Sequence, residues 1–310
     1  MKSSFTMPYI ALAIGVAAVS TSAVLVKLTT APSAVVAFYR LLFSALLILP
    51  YFLFRNLPEL KAFSKKDWLF SSVAGVFLAV HFILWFESLK FTSVASSVVL
   101  VTLQPLFSFV GTYFFFKERI SFTAVISSVI AIIGSVIISW GDFHVSGMAL
   151  FGDILALAAC AMVTAYLLFG QEVRKRHSLI AYTFIVYSFS AITLFIYCIS
   201  LQYPLMSYPT EDWVYFLLLA IVPTLFGHSL FNWSLKWIST NAISVSILFE
   251  PVGAIILAYI LLGETVIISQ VIGGIVIVFG ILVFAFEKQL KRLVKMRMAK
   301  SEKGQHFTIK

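Results

Sequence analysis

Residues 88–118 read SLKFTSVASSVVLVTLQPLFSFVGTYFFFKE, and residues 234–264 read SLKWISTNAISVSILFEPVGAIILAYILLGE. Set one on the other, 146 positions apart, they pair Ser88-Leu89-Lys90 with Ser234-Leu235-Lys236 and Gln104-Pro105 with Glu250-Pro251. The same offset pairs Tyr113 with Tyr259, Glu118 with Glu264, Gly134 with Gly280, and Ser44-Ala45 with Ser190-Ala191. ALAIGVAAVSTSA near the start is matched more loosely by ILALAACAMVTAY from Ile154. Self-similarity at one fixed spacing marks a duplicated unit, and the fold follows from how many helices that unit holds.

Composition supplies the count. Hydrophobic residues make up 61% of the chain and charged residues 11%, with a mean hydropathy of +1.03. Soluble domains have roughly 45–50% and about 25%, so the bilayer is the solvent for most of this surface. A hydrocarbon core about 30 Å thick takes about 20 apolar residues per helix. Ten runs meet that need: 7–27, 34–54, 68–89, 93–116, 122–140, 147–169, 179–200, 213–235, 241–262 and 267–287. They are too long and too uniformly apolar for barrel strands, which run to about ten alternating residues. The first run is also longer than the about 7–15 residues of a signal-peptide core. Each copy therefore holds five helices. Five is odd, so the copies are inverted relative to each other. The expected fold is an all-α membrane protein with ten transmembrane helices in two inverted five-helix repeats, residues 1–143 and 144–287, followed by a basic tail at 288–310.

The net charge of +9 could suggest a nucleic-acid partner, but its distribution points to topology. If the N-terminus faces the cytoplasm, that side holds Lys2, Arg55, Lys61, Lys65, Lys66, Lys117, Arg119, Arg174, Lys175, Arg176, Lys236 and the tail, 19 of the 22 basic residues. The other side holds Lys27 and Lys90, and Arg40 lies within a span. Short loops enriched in Lys and Arg stay inside. Both termini are expected in the cytoplasm, in a multi-pass protein of the cell membrane with no nucleic-acid partner. Trp68, Trp140, Trp213 and Trp237 fall at span ends, as interfacial anchors do. The tail has some helical spacing of apolar residues and would lie along the inner leaflet. Cys160 and Cys198 sit inside apolar runs and read as small buried hydrophobes.

These features resemble the drug/metabolite transporter superfamily, EamA type. Phe249-Glu250-Pro251 and Leu261-Leu262-Gly263-Glu264 carry the resemblance most strongly, and it extends over about residues 7–287. The first span departs from the family, with Ser20-Thr21 where a Trp-Gly often stands. The resemblance implies secondary transport of small organic metabolites, such as amino acids or related compounds. Sugar-linked and drug-like substrates fit it as well. A sensor or scaffold is the alternative class. No metal-ligand spacing, nucleotide loop or nucleophile elbow is visible, so no enzyme, cofactor or metal is expected.

Polar groups deep in spans are costly and functional by default. Glu250 and Gln104 occupy repeat-equivalent mid-span positions. Ser93, Ser97, Gln104, Ser108 and Gly111 fall on one face of a continuous fourth helix, and Ser246 with Glu250 forms a shorter version. Pro105, Pro223 and Pro251 each remove one helical hydrogen bond and mark kinks. His81 with Trp85 is expected to face the outer entrance, and His228 with Asn232 the inner one. Arg40, with Tyr39, would either snorkel to the outer surface or meet an anionic substrate group or Glu250. Protonation of Glu250 would add protons to the list of partners, beside the bilayer and a small-molecule substrate. Gly273-Gly274 and Gly280 read as positions of close helix packing.

Overall fold

Proline after a polar residue in the middle of an apolar run begins a helix here rather than bending one. Pro fits the first turn, where its missing N–H is not needed, and an acid there complements the helix dipole. The computed structural model describes residues 7–140 and 147–286. In it the fourth span is two helices, α5 (Val94–Val101) and α6 (Gln104–Phe116), parted at Thr102 and Leu103. The ninth is likewise α12 (Thr240–Ile247) and α13 (Glu250–Leu262). The expected kinks at Pro105 and Pro251 are therefore full breaks, and the single polar face from Ser93 to Gly111 does not exist. Ser97 hydrogen-bonds Ser88, whereas Gly111 packs on Leu168.

The first span also divides, into α1 (Met7–Val19) and α2 (Ser22–Lys27). At the break, the Ser20 hydroxyl donates to the carbonyls of Val16 and Glu250 at 2.9 and 3.2 Å. The remaining spans of the first copy are α3 (Ser33–Tyr51), α4 (Lys65–Ser88) and α7 (Phe122–Ser139). The second copy has α8 (Gly147–Arg174), α9 (Leu179–Ser200), then α10 (Thr210–Leu219) running into α11 (Ser229–Ser234), and finally α14 (Ile268–Ala285). Between α10 and α11 lies a π-helical stretch, Ala220–His228, around Pro223. Eight spans are long and apolar enough to cross a bilayer, and the two shorter apolar helices, α7 and α14, complete ten. The polar connection from Arg55 to Asp67 is folded too, as helical turns over Phe52–Asn56 and Leu57–Ala62. The basic tail lies outside the described residues.

The packing repeats the sequence symmetry. A Cβ on Gly134 would meet the Gly273 carbonyl at 2.7 Å and the Ile277 backbone at 2.9 Å. A Cβ on Gly280 would meet the Ser127 carbonyl at 2.9 Å and the Ala131 backbone at 3.0 Å. Shifting each partner by the repeat offset converts one set of contacts into the other, so α7 and α14 cross as antiparallel equivalents. Close approach at small residues is how membrane helices gain packing without a hydrophobic drive. Gly274 has no such contact; its nearest neighbour is Val252 Cγ2 at 3.7 Å. The second span of each copy packs on the third span of the other in the same symmetric way. Ser44 Oγ reaches the Ala220 carbonyl at 3.4 Å, and Ser190 Oγ reaches the Gly75 carbonyl at 2.7 Å. From Gly75 to Ala220 the offset is 145; by Ser88 and Ser234 it is 146. The π-helical stretch between them holds the extra residue, as an i→i+5 turn does. The fold is thus ten membrane helices in two inverted repeats of five.

Candidate functional site

The two copies enclose a cavity near the middle of the bundle. Arg40, His81, Trp85 and Gln104 line it from the first copy, and His228, Phe231 and Glu250 from the second, with Ser22 and Val19 from the first span. Its free volume is about 20 Å³. That is room for about one water molecule, so anything larger enters only when the walls move.

Arg40 is the largest fully buried side chain, 0% exposed; it does not snorkel. Its environment follows from Pro223. That proline deprives the Leu219 carbonyl of its usual α-helical donor, and the Thr224 hydroxyl donates to it at 2.8 Å. The same hydroxyl accepts from Arg40 Nε at 2.8 Å. Arg40 Nη1 donates to Ser22 Oγ at 2.6 Å, and the guanidinium lies over the Phe82 ring, 4.1 Å from its centroid. Nη2 has no protein partner. A planar cation is thus held at two of its nitrogens and on one face, with its third nitrogen unpartnered.

Glu250 lies across the cavity, 7% exposed. It feels the charge of Arg40, but no ion pair within 4.0 Å joins them. Both repeat-equivalent residues, Gln104 and Glu250, open a half-helix at this depth, so two helix N-termini converge on the cavity. Gln104 Oε1, Trp85 Nε1 and His228 Nδ1 are buried without partners. His81 Nδ1 lies 2.9 Å from the Ala159 carbonyl, so Nδ1 carries the proton and Nε2 is left as an acceptor.

The two histidines do not face opposite entrances. Their rings are 6.4 Å apart, and His81 stacks on Trp85. Counting residues from span ends had separated them, because it treats every helix as upright and regular. The π-helical stretch ending at His228 lowers the rise per residue.

Not every candidate joins the cluster. Tyr39 points the other way along α3, its hydroxyl donating to Leu205 O at 2.6 Å and its ring stacked on Phe216. Asn232 is buried and bonds the Tyr166 hydroxyl. Ser246 donates to Ala242 O within its own helix. Ser108 is buried without a partner but does not line the cavity. Sequence reasoning missed Ser22 and Thr224, the two anchors of Arg40. A hydroxyl directly after the mid-span Pro223 was the available signal.

An inverted pair of five-helix units around a polar midplane cavity is the arrangement of a known transporter family. The model of the EamA-like transporter family matches residues 6–140 and 150–286, once for each copy. The chain belongs to the EamA-like transporter family. Its relatives include the uncharacterized transporter YdfC of Bacillus subtilis (strain 168), 24% identical over 254 residues, 79% of each chain. The uncharacterized transporter YxxF of the same organism is 26% identical over 267 residues, 85% of this chain and 84% of its own. An uncharacterized transporter of Archaeoglobus fulgidus is 25% identical over 250 residues. A crystal structure with 18% sequence identity superposes with a TM-score of 0.74 over 92% of this chain and 99% of its own, which establishes the same fold. The chain is a membrane transporter by family.

Proposed function

We propose that this transporter carries small organic metabolites, amino acids or related compounds, out across the cell membrane by alternating access. The observation behind this is the midplane cavity, whose polar lining comes from both inverted copies. A guanidinium with a free nitrogen and a carboxylate face it from opposite copies. A compact molecule with anionic and cationic ends would satisfy both, and inverted repeats place substrate sites at this interface. Half-helix N-termini aimed at such a site favour an anionic group. The small free volume suits an occluded state between two open ones. The positive-inside distribution of Lys and Arg supports a basic face in the cytoplasm.

The test is counterflow in liposomes, with candidates chosen by comparing metabolites released by cells that overexpress the chain and cells that lack it. Exchange of a labelled metabolite, abolished by Arg40→Ala, supports the proposal. Binding without flux would make the protein a sensor, and chemical conversion of the added metabolite would make it an enzyme.

A further inference from the structure

Outside the cavity, the structure holds two polar junctions that the repeat relates to each other. On the basic face, Asp67 is the third residue of α4, and Arg176 lies three residues ahead of α9. Arg176 Nη2 donates to Asp67 Oδ1 at 2.6 Å. On the opposite face, Asp212 is the third residue of α10, and Thr30 lies three residues ahead of α3. The Thr30 backbone N–H donates to Asp212 Oδ1 at 3.0 Å, and its hydroxyl donates to Oδ2 at 2.7 Å. Thr30 and Arg176 are 146 apart. Asp67 and Asp212 are 145 apart, the offset that holds ahead of the π-helical stretch. Both aspartates are buried, at 3% and 1% exposure. Each ties the third span of one copy to the approach of the second span of the other. The two junctions are therefore one contact, made twice, on opposite faces and on either side of the cavity.

They differ in polar bonding. His177 Nε2 lies 3.1 Å from Asp67 Oδ2, and its ring stacks on Phe63. Glu59 accepts from the Ser178 N–H at 2.6 Å and from its hydroxyl at 2.5 Å. Glu172 accepts from Arg176 at 3.3 Å. Among the described residues the opposite face has no equivalent set of hydrogen bonds, since Pro32, equivalent to Ser178, has neither an N–H nor a hydroxyl to offer; there α3 meets α10 through rings, Tyr39 stacked on Phe216 and edge-on to Trp213.

From this we infer that Asp67–Arg176 and Asp212–Thr30 are the paired gates of the transporter, that releasing either opens the cavity to its own face, and that the unequal bonding biases the unliganded protein to open on the face opposite the basic one. Opening toward the basic face must part α4 from α9, and opening toward the other face must part α10 from α3. The two movements are equivalent under the inverted repeat, so a bond that holds one side shut favours the other side open.

This rests on the alternating-access reading above, but its test does not depend on a substrate. Cys160 and Cys198 are replaced by Ala, and Val101→Cys supplies a thiol in the cavity wall. Labelling by a membrane-impermeant maleimide is then timed in right-side-out and inside-out vesicles. The background protein should label faster from the face opposite the basic one. Arg176→Gln, which alters a side chain 47% exposed and so spares the fold, should raise labelling from the basic face about tenfold. That is the scale of one charge-assisted hydrogen bond. Asp67→Asn should act in the same direction. Asp212→Asn and Thr30→Val should shift labelling toward the opposite face. Unchanged labelling in Arg176→Gln and Thr30→Val, or movement of both in one direction, would overturn the gates. Faster background labelling from the basic face would overturn the bias. Side-switching labelling without flux of any metabolite would leave the gates standing and remove the transport reading; flux with no switching would do the reverse.

Discussion

Glu250 and Pro251 make sense together only at a helix start. A proline in the first turn forgoes a hydrogen bond that no helix start can make, and an acid there meets the positive end of the helix dipole. The break after Ile247 thus places a carboxylate at mid-membrane with its backbone needs partly met by Ser20, which donates to the Glu250 carbonyl. Its side chain is left to the cavity. Arg40 shows the opposite treatment: Ser22, Thr224 and Phe82 fix all but one nitrogen. One charge is anchored and the other is not, so Glu250 is the group able to exchange a proton or a cationic partner during a cycle. Replacing it with Gln keeps shape and hydrogen-bonding capacity and removes the titration. Glu250→Gln should reach the membrane at normal levels, with flux lost or its dependence on pH flattened. Transport at the parent's rate and pH profile would make Glu250 a structural residue and rule out proton exchange at it.

At the scale of elements, the glycines of α14 separate tight backbone crossing from ordinary packing. A Cβ at Gly273 would sit 2.4 Å from the Gly134 carbonyl and 2.9 Å from the Ile138 backbone nitrogen. Neither backbone atom can rotate away, so the helices must move apart. Gly273→Ala should therefore lower the detergent-solubilised protein's midpoint of thermal unfolding, at a cost of about 1–3 kcal/mol as overpacked sites show. A Cβ at Gly274 meets only Val252 Cγ2, at an ordinary 3.7 Å, so Gly274→Ala should be neutral or slightly stabilising, since Ala is the better helix former by about 1 kcal/mol. Equal losses at the two positions would disprove the crossing of α7 and α14. The comparison also shows what sequence can carry. The repeat offset named Gly134 and Gly280 as equivalents, and the doublet at 273–274 looked uniform. Which glycine faces a partner depends on helix rotation, and an apolar helix surrounded by lipid has little polar face to reveal it. The midplane pair Gln104 and Glu250 was legible because duplication fixes depth in both copies at once. The position of His228 was not, because its depth depends on a π-helical stretch whose only trace in sequence is Pro223 and a one-residue slip in register.

At the scale of the whole molecule, inversion is a statement about sides. If the copies are inverted, equivalent residues lie on opposite faces: Asp67 on one, Asp212 on the other. The number of spans must then be odd in each copy, and the Lys and Arg of the whole chain must collect on one side despite the duplication. They do. On the sparsely basic face Lys90 is paired with Glu87 at 2.9 Å; its equivalent Lys236, on the basic face, has Trp233 where Glu87 stands, and Arg176 on that face stands where the first copy has Thr30. Charge has therefore diverged between copies where the backbone pattern has not, which is what orienting a duplicated unit in the membrane requires. With 19 basic residues against 2, the basic face should be cytoplasmic. A reporter that fluoresces only in the cytoplasm should give signal when fused after Lys310, which follows ten crossings. Fused to a chain ending at Gly141, after five, it should stay dark. A reporter active only outside should give the reverse readings. Cytoplasmic signal at both points would mean an even number of crossings in the first copy, and the inverted repeat, with the two gates it relates, would be lost.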